Sequence, residues 1–198
     1  MSSPAHRAAL GFLRGGLIAG LSLAIAPALG AALANIFPSG WPAGIIQVLL
    51  PMCGFVLGGA IGGEAVGVEP RGGLAFGCGG GAAGLVLLLT APHLRGLTGF
   101  EDPMIVVTYA VATSTLAFGV MGLVGGLVIR RGKVGRVAAI FAASGVVGGL
   151  LGVLPFLLQR WGGAGWADLW VFVTMASSIG SIVVPLMIGG ASAARNWS

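Results

Sequence analysis

Residues Gly15 to Ile36 read GGLIAGLSLAIAPALGAALANI, a run with no charged side chain. At 1.5 Å per residue it is long enough to cross the roughly 30 Å hydrocarbon core of a bilayer as a single helix. Five further runs of the same kind follow, over approximately 43–63, 72–92, 104–129, 134–158 and 168–190. The breaks between them are short and rich in Gly, Pro and charge. Backbone N–H and C=O groups in hydrocarbon must be satisfied within the chain, which only helices and closed barrels achieve. Barrel strands would be about ten residues long and alternating, so these near-continuous runs predict helices. The expected fold is an all-α integral membrane protein, one compact bundle of six transmembrane helices spanning residues 1–198.

Composition agrees. The chain has 198 residues, 57% hydrophobic and 8% charged, whereas soluble domains carry about a quarter charged residues. The formal charge of +5 sits on a background too apolar for a disordered basic tail, and no nucleic-acid partner is expected. Lys and Arg near span ends are retained in the cytoplasm. A cytoplasmic N-terminus places Arg7, Arg14, Arg71, Arg130, Arg131, Lys133, Arg136 and Arg195 inside, and leaves Arg95 and Arg160 outside. Even span parity returns the C-terminus to the same side. Trp41, Trp161 and Trp166 then fall at the outer boundary and Trp197 at the inner one, as interfacial anchors. The expected location is a plasma membrane of the bacterial inner-membrane type. Arg7 and Arg14 before an apolar stretch resemble a signal peptide, but that stretch exceeds the usual 7–15 residues and further spans follow.

Small residues recur at helical spacing. Gly16, Gly20, Ala24, Ala28 and Ala32 form a stripe along the first span, and comparable series occur at Gly54, Gly58 and Gly62, at Gly73, Gly77 and Gly81, and at Ser144, Gly148 and Gly152. In lipid such small-xxx-small faces let backbones approach and supply the van der Waals contact that holds helices together. The later series predict packing within the bundle. The first-span stripe is either another internal face or a docking surface for another membrane subunit. A weak internal repeat aligns Gly59–Gly63 with Gly122–Gly126, Phe55 with Phe118, and, in the next spans, Phe76 with Phe141, Gly80 with Gly145 and Gly84 with Gly149. Repeats of this kind occur in transporters.

The search for chemistry is largely negative. No ionisable residue lies in the central part of any span, which disfavours proton relays and buried counter-ions. His6 and His93 lie outside the bundle centre and Cys53 and Cys78 lack metal-ligand spacing, so no metal, no cofactor and no enzymatic activity are expected. The two cysteines are expected as buried, unbonded apolar thiols. Three features remain. Glu64, after Gly62-Gly63, is the acid nearest the hydrocarbon. Hydroxyls cluster in span four, with Thr113 and Ser114 among them, and in span six, with Ser177 and Ser181; Pro185, one turn beyond Ser181, predicts a bent or broken sixth span beside that polar face. Arg130, Arg131, Lys133 and Arg136 form a basic turn suited to orienting the chain or to contacting anionic headgroups or a partner.

The plan of six spans, both ends inside and a small-residue stripe on the first span is similar to that of the membrane-embedded substrate-binding subunits of energy-coupling-factor vitamin transporters, with no ligand motif matched. That resemblance implies transport. The functional expectation is transport of a small neutral or weakly polar solute, as a small permease or a transporter subunit, along a path with Glu64, Thr113, Ser114, Ser177, Ser181 and Pro185. The alternative is a non-catalytic structural or assembly subunit of a larger membrane complex.

Overall fold

The computed structural model of the chain describes residues 3–37, 40–66, 71–97, 102–129, 133–162 and 170–195. They form six α-helices: α1 (Pro4–Ile36), α2 (Trp41–Glu64), α3 (Arg71–Leu97), α4 (Pro103–Ile129), α5 (Val134–Gly162) and α6 (Trp170–Arg195). Each contains a stretch long and apolar enough to cross a membrane, which makes this a multi-pass membrane protein by length and composition.

Local signals explain the helix ends. α1 starts well before the apolar run because Ser3 caps it: the His6 N–H donates to Ser3 Oγ at 3.2 Å and Pro4 occupies the first turn. Arg7 and Arg14 therefore interrupt the hydropathy but not the helix. At α4 the Met104 N–H donates to Asp102 Oδ1 at 2.8 Å, again just ahead of a first-turn proline. α2 follows Gly40, whose φ of 69° lies in the left-handed region that favours glycine. α6 continues without interruption through Pro185, so the expected break in span six is absent. Proline is tolerated there because only one N–H is missing and neighbouring helices support the freed carbonyl.

Each helix packs against its neighbours in sequence, and α6 returns to α1, closing a six-membered ring. Successive helices run in opposite directions, so both termini lie at one end of the ring, hereafter the termini end. Backbones nearly touch at the seams. A Cβ on Gly15 would land on the Gly58 carbonyl between α1 and α2, and one on Gly59 would land on the Phe76 carbonyl between α2 and α3. Gly79 approaches Met121, Gly145 approaches Ser114, and Gly16 approaches Val183 in the same manner. The Gly-rich faces of α1 to α5 are thus used within the chain. Gly16 and Gly20, the lower half of the first-span stripe, pack against Val183 and Ile179 of α6. Ala24 is half-buried, and Ala28 and Ala32 are exposed.

The two-copy repeat extends to a third copy. Phe12, Phe76 and Phe141 occupy matching positions in α1, α3 and α5, as do Arg7, Arg71 and Arg136; Gly16, Gly80 and Gly145; and Gly20, Gly84 and Gly149. Gly62, Gly125 and Gly189 match in α2, α4 and α6. Packing follows the same register, with the Phe12 ring against Gly62, the Phe76 ring against Gly125 and the Phe141 ring against Gly189. The molecule is three tandem helical hairpins around a pseudo-threefold axis. Pairing α2–α3 with α4–α5 hides the third copy, because its halves lie at opposite ends of the chain, in α6 and α1.

The outward surface is apolar: Leu21, Leu49, Leu57, Leu74, Leu116 and Leu150 are all exposed. A patch of that extent is uncommon on a soluble monomer and natural against lipid. Cys53 and Cys78 are unbonded but exposed on this surface, not buried as expected. Helical hydropathy alone does not distinguish a lipid-facing thiol from an interior one.

Candidate functional site

The ring encloses a partly open cavity of about 180 Å³. All six helices line it: Leu23 from α1, Phe55 from α2, Leu87, Leu88 and Thr90 from α3, Ala110, Thr113 and Ser114 from α4, Gly148, Gly149 and Gly152 from α5, and Ser181 and Ile182 from α6. The glycines of α5 explain why space exists there. Gly152 has only the Ser181 Cβ, at 3.6 Å, near the position its own Cβ would take, so a larger residue would occupy the cavity.

The wall is mainly apolar with a hydroxyl cluster on one side. Thr113 Oγ1 donates to the Ala110 carbonyl at 3.1 Å and Ser181 Oγ to the Ser178 carbonyl at 2.8 Å. Donating to its own helix spends each hydroxyl proton but leaves oxygen lone pairs as acceptors. Thr90 Oγ1 likewise donates to Val86 at 2.9 Å, while the Tyr109 hydroxyl donates across the seam to the Thr90 carbonyl at 3.3 Å and ties α4 to α3. Pro185 has no N–H to give to the Ser181 carbonyl, its partner in an uninterrupted helix. That oxygen lies beside Gly148, 2.6 Å from where a Cβ would stand, and the Pro185 ring also packs on Gly148. Ser181 therefore lines the cavity while its released carbonyl packs against Gly148 of α5. Every polar group described in the wall is uncharged.

Toward the termini end the interior is solid. Phe12, Phe76 and Phe141 meet on the pseudo-threefold axis with ring centroids 5.2, 5.8 and 5.5 Å apart, and all three are fully buried. The Phe12–Phe76 and Phe12–Phe141 pairs are edge-to-face, a favoured arrangement for aromatic quadrupoles. Phe118, Met121 and Leu186 join the same buried cluster. Along α5 the plug lies about 10 Å from Gly148, two helical turns away. Ser144 supports it by donating to the Phe141 carbonyl at 2.7 Å.

The cavity thus brings together Thr113, Ser114 and Ser181 of the predicted path, with Pro185 shaping its wall. Ser177 is buried but does not line it. Glu64 does not reach it: the side chain is exposed at the end of α2, beside Gly73. The reason is depth: Gly62, two residues earlier, seats the Phe12 ring, so Glu64 lies on the termini side of the plug, about 13 Å along α2 from Phe55 in the cavity wall. Of the basic turn, Lys133 is half-buried and Arg136 exposed, while Arg130 and Arg131 lie outside the described residues, as do Trp166 and Trp197. Thr90, hidden in a leucine run, and the three phenylalanines were not singled out as site residues. The matching register of Phe12, Phe76 and Phe141 was the signal available for the plug.

A second, larger space of about 310 Å³ opens on the seam between α1 and α6, lined by Leu23, Ala24, Pro27 and Ala28 of α1 and Thr174, Met175 and Ser178 of α6. It lies beyond the close contact of Gly20 with Ile179 on the side away from the termini.

No family of proteins, no curated protein and no solved structure matches this chain.

Proposed function

We propose that the protein is a small membrane transporter, or the solute-binding subunit of one, whose site is the cavity inside the ring. The observation that carries this reading is an uncharged cavity with hydroxyls on one wall, enclosed by six membrane-length helices and blocked at one end by Phe12, Phe76 and Phe141. In this reading both termini are cytoplasmic, the membrane is of the bacterial inner-membrane type, and the aromatic plug is the cytoplasmic barrier. The solute is neutral. A lone ion in such a wall would lose several kcal/mol of hydration with no opposite charge to offset it. Its size follows from the volume, since an apolar cavity of about 150 Å³ admits benzene.

The test is a thermal-shift comparison of the detergent-purified protein with small neutral, anionic and cationic molecules of ring size. A ligand at about 100 times its Kd stabilises the folded state by about 2.7 kcal/mol. A neutral class is expected to raise the melting temperature of the native protein and not of Gly152→Leu, which fills the cavity. Proteoliposome flux of that compound then separates transport from binding alone. Stabilisation only by charged compounds, or an unchanged shift in Gly152→Leu, overturns the reading. The rival role, a structural subunit without a solute, draws on the hydroxyl bonds to helix carbonyls and predicts no ligand of any class.

A further inference from the structure

Leu23 lines both the interior cavity and the space on the α1–α6 seam, so the two spaces adjoin at this side chain. The seam is where the first and last helices meet with no connecting loop, and its upper part is loosely filled. Below it, Gly16 and Gly20 bring α1 against the α6 backbone; above it, Ala24, Pro27 and Ala28 are too short to close the gap. Leu23 itself is only partly buried and packs at the edge of the central cluster. The seam is also not purely apolar. Thr174 and Ser178 of α6 line it. The hydroxyls of Thr174 and Ser178 continue, one turn further along α6, to Ser181 in the cavity, with Ser178 Oγ donating to the Thr174 carbonyl at 2.8 Å.

We infer that the α1–α6 seam is a lateral portal through which a neutral amphiphile dissolved in the bilayer reaches the interior cavity, with Leu23 as its door. This rests on the cavity being a solute site. A molecule already in the hydrocarbon has shed its water, so passing Thr174, Ser178 and Ser181 in turn exchanges one hydrogen-bonding group for the next with no charged group to cross. The class implied is a ring-sized apolar body bearing one hydrogen-bonding group.

The experiment places a reporter thiol in the cavity, Ser181→Cys, in a Cys53→Ala, Cys78→Ala background, in proteoliposomes. It is challenged with N-phenylmaleimide, which partitions into lipid, and with the neutral, hydrophilic 2-hydroxyethyl methanethiosulfonate, which stays mainly in water, present on both faces. The expected result is labelling by the first and protection from the second. Leu23→Ala should speed the maleimide reaction about tenfold, equivalent to about 1.4 kcal/mol off the barrier, and Ala28→Phe should slow it comparably. Because a loosened fold would also expose the thiol, Leu23→Ala must keep the native melting temperature and its protection from the water-soluble reagent while the maleimide reaction speeds up. Labelling by the water-soluble reagent as fast as by the maleimide overturns the portal while leaving the cavity a solute site reached from water. Rates unmoved by Leu23→Ala overturn it too. Failure of both reagents to reach the thiol overturns the portal and the solute cavity together.

Discussion

A methyl group at Gly58 separates α1 from α2, and Gly58→Ala is expected to lose on the order of 3 kcal/mol or more of stability, enough to remove most folded protein from the monodisperse fraction in mild detergent. The two helices meet backbone to backbone. A Cβ on Gly58 would land on the Gly15 carbonyl, and one on Gly15 would land on the Gly58 carbonyl. Neither atom belongs to a side chain that can rotate away, so relief requires moving a whole helix, and α1 also packs closely on α6 through Gly16 and Val183. Gly44→Ala and Gly135→Ala are the controls. Nothing lies within 4 Å of a Cβ at either position, and both are expected to elute and melt like the native protein or slightly above it. Size-exclusion profiles and melting curves of the three variants check the prediction. Equal behaviour of all three would mean that the close seam is not what holds α1 in place.

Phe76→Ala has the second largest expected effect. The ring is fully buried, touches Phe12 and Phe141, and seats on Gly125, so its loss leaves a hole in the packed cluster. Large-to-small changes of this type cost about 3–5 kcal/mol. If the plug is also the barrier of a solute path, the variant carries a second signature. Proteoliposomes containing Phe76→Ala should leak small neutral solutes faster than those with native protein, while Phe76→Leu, which restores most of the volume, should be tight and nearly as stable. A destabilised but tight Phe76→Ala assigns the triad to packing alone.

These two sites differ in how plainly the sequence announces them. Helix number and most boundaries follow from hydropathy, because the cost of an unsatisfied backbone in lipid leaves few alternatives: the runs 43–63 and 104–129 became Trp41–Glu64 and Pro103–Ile129. Where hydropathy and capping disagree, capping is the better guide. Ser3-Pro4 starts α1 although Arg7 and Arg14 end the apolar stretch. The hydroxyls of spans four and six converge because α5, packed between α4 and α6, presents Gly145 and Gly149 to α4 and Gly148 to α6, two series that the sequence displays at four-residue spacing. What one-dimensional reading lacks is azimuth. The two cysteines face outward and Ser177 is buried away from the cavity, because a single residue step rotates a side chain by about 100°. Glu64 misses by depth, at the end of α2 on the termini side of the plug. The plug is hard to read in one dimension for another reason. Phenylalanine is unremarked in an apolar chain, and its threefold recurrence shows only when the first and last helices are read as two halves of one repeat.

The central claim, that the space within the ring holds a small neutral molecule, is tested most directly by native mass spectrometry of the protein released from gentle detergent, native chain beside Gly152→Leu. The account predicts a low-mass, uncharged adduct at one per chain on the native protein and its absence from the folded variant. A native chain without such an adduct, or an adduct held equally by Gly152→Leu, would contradict it.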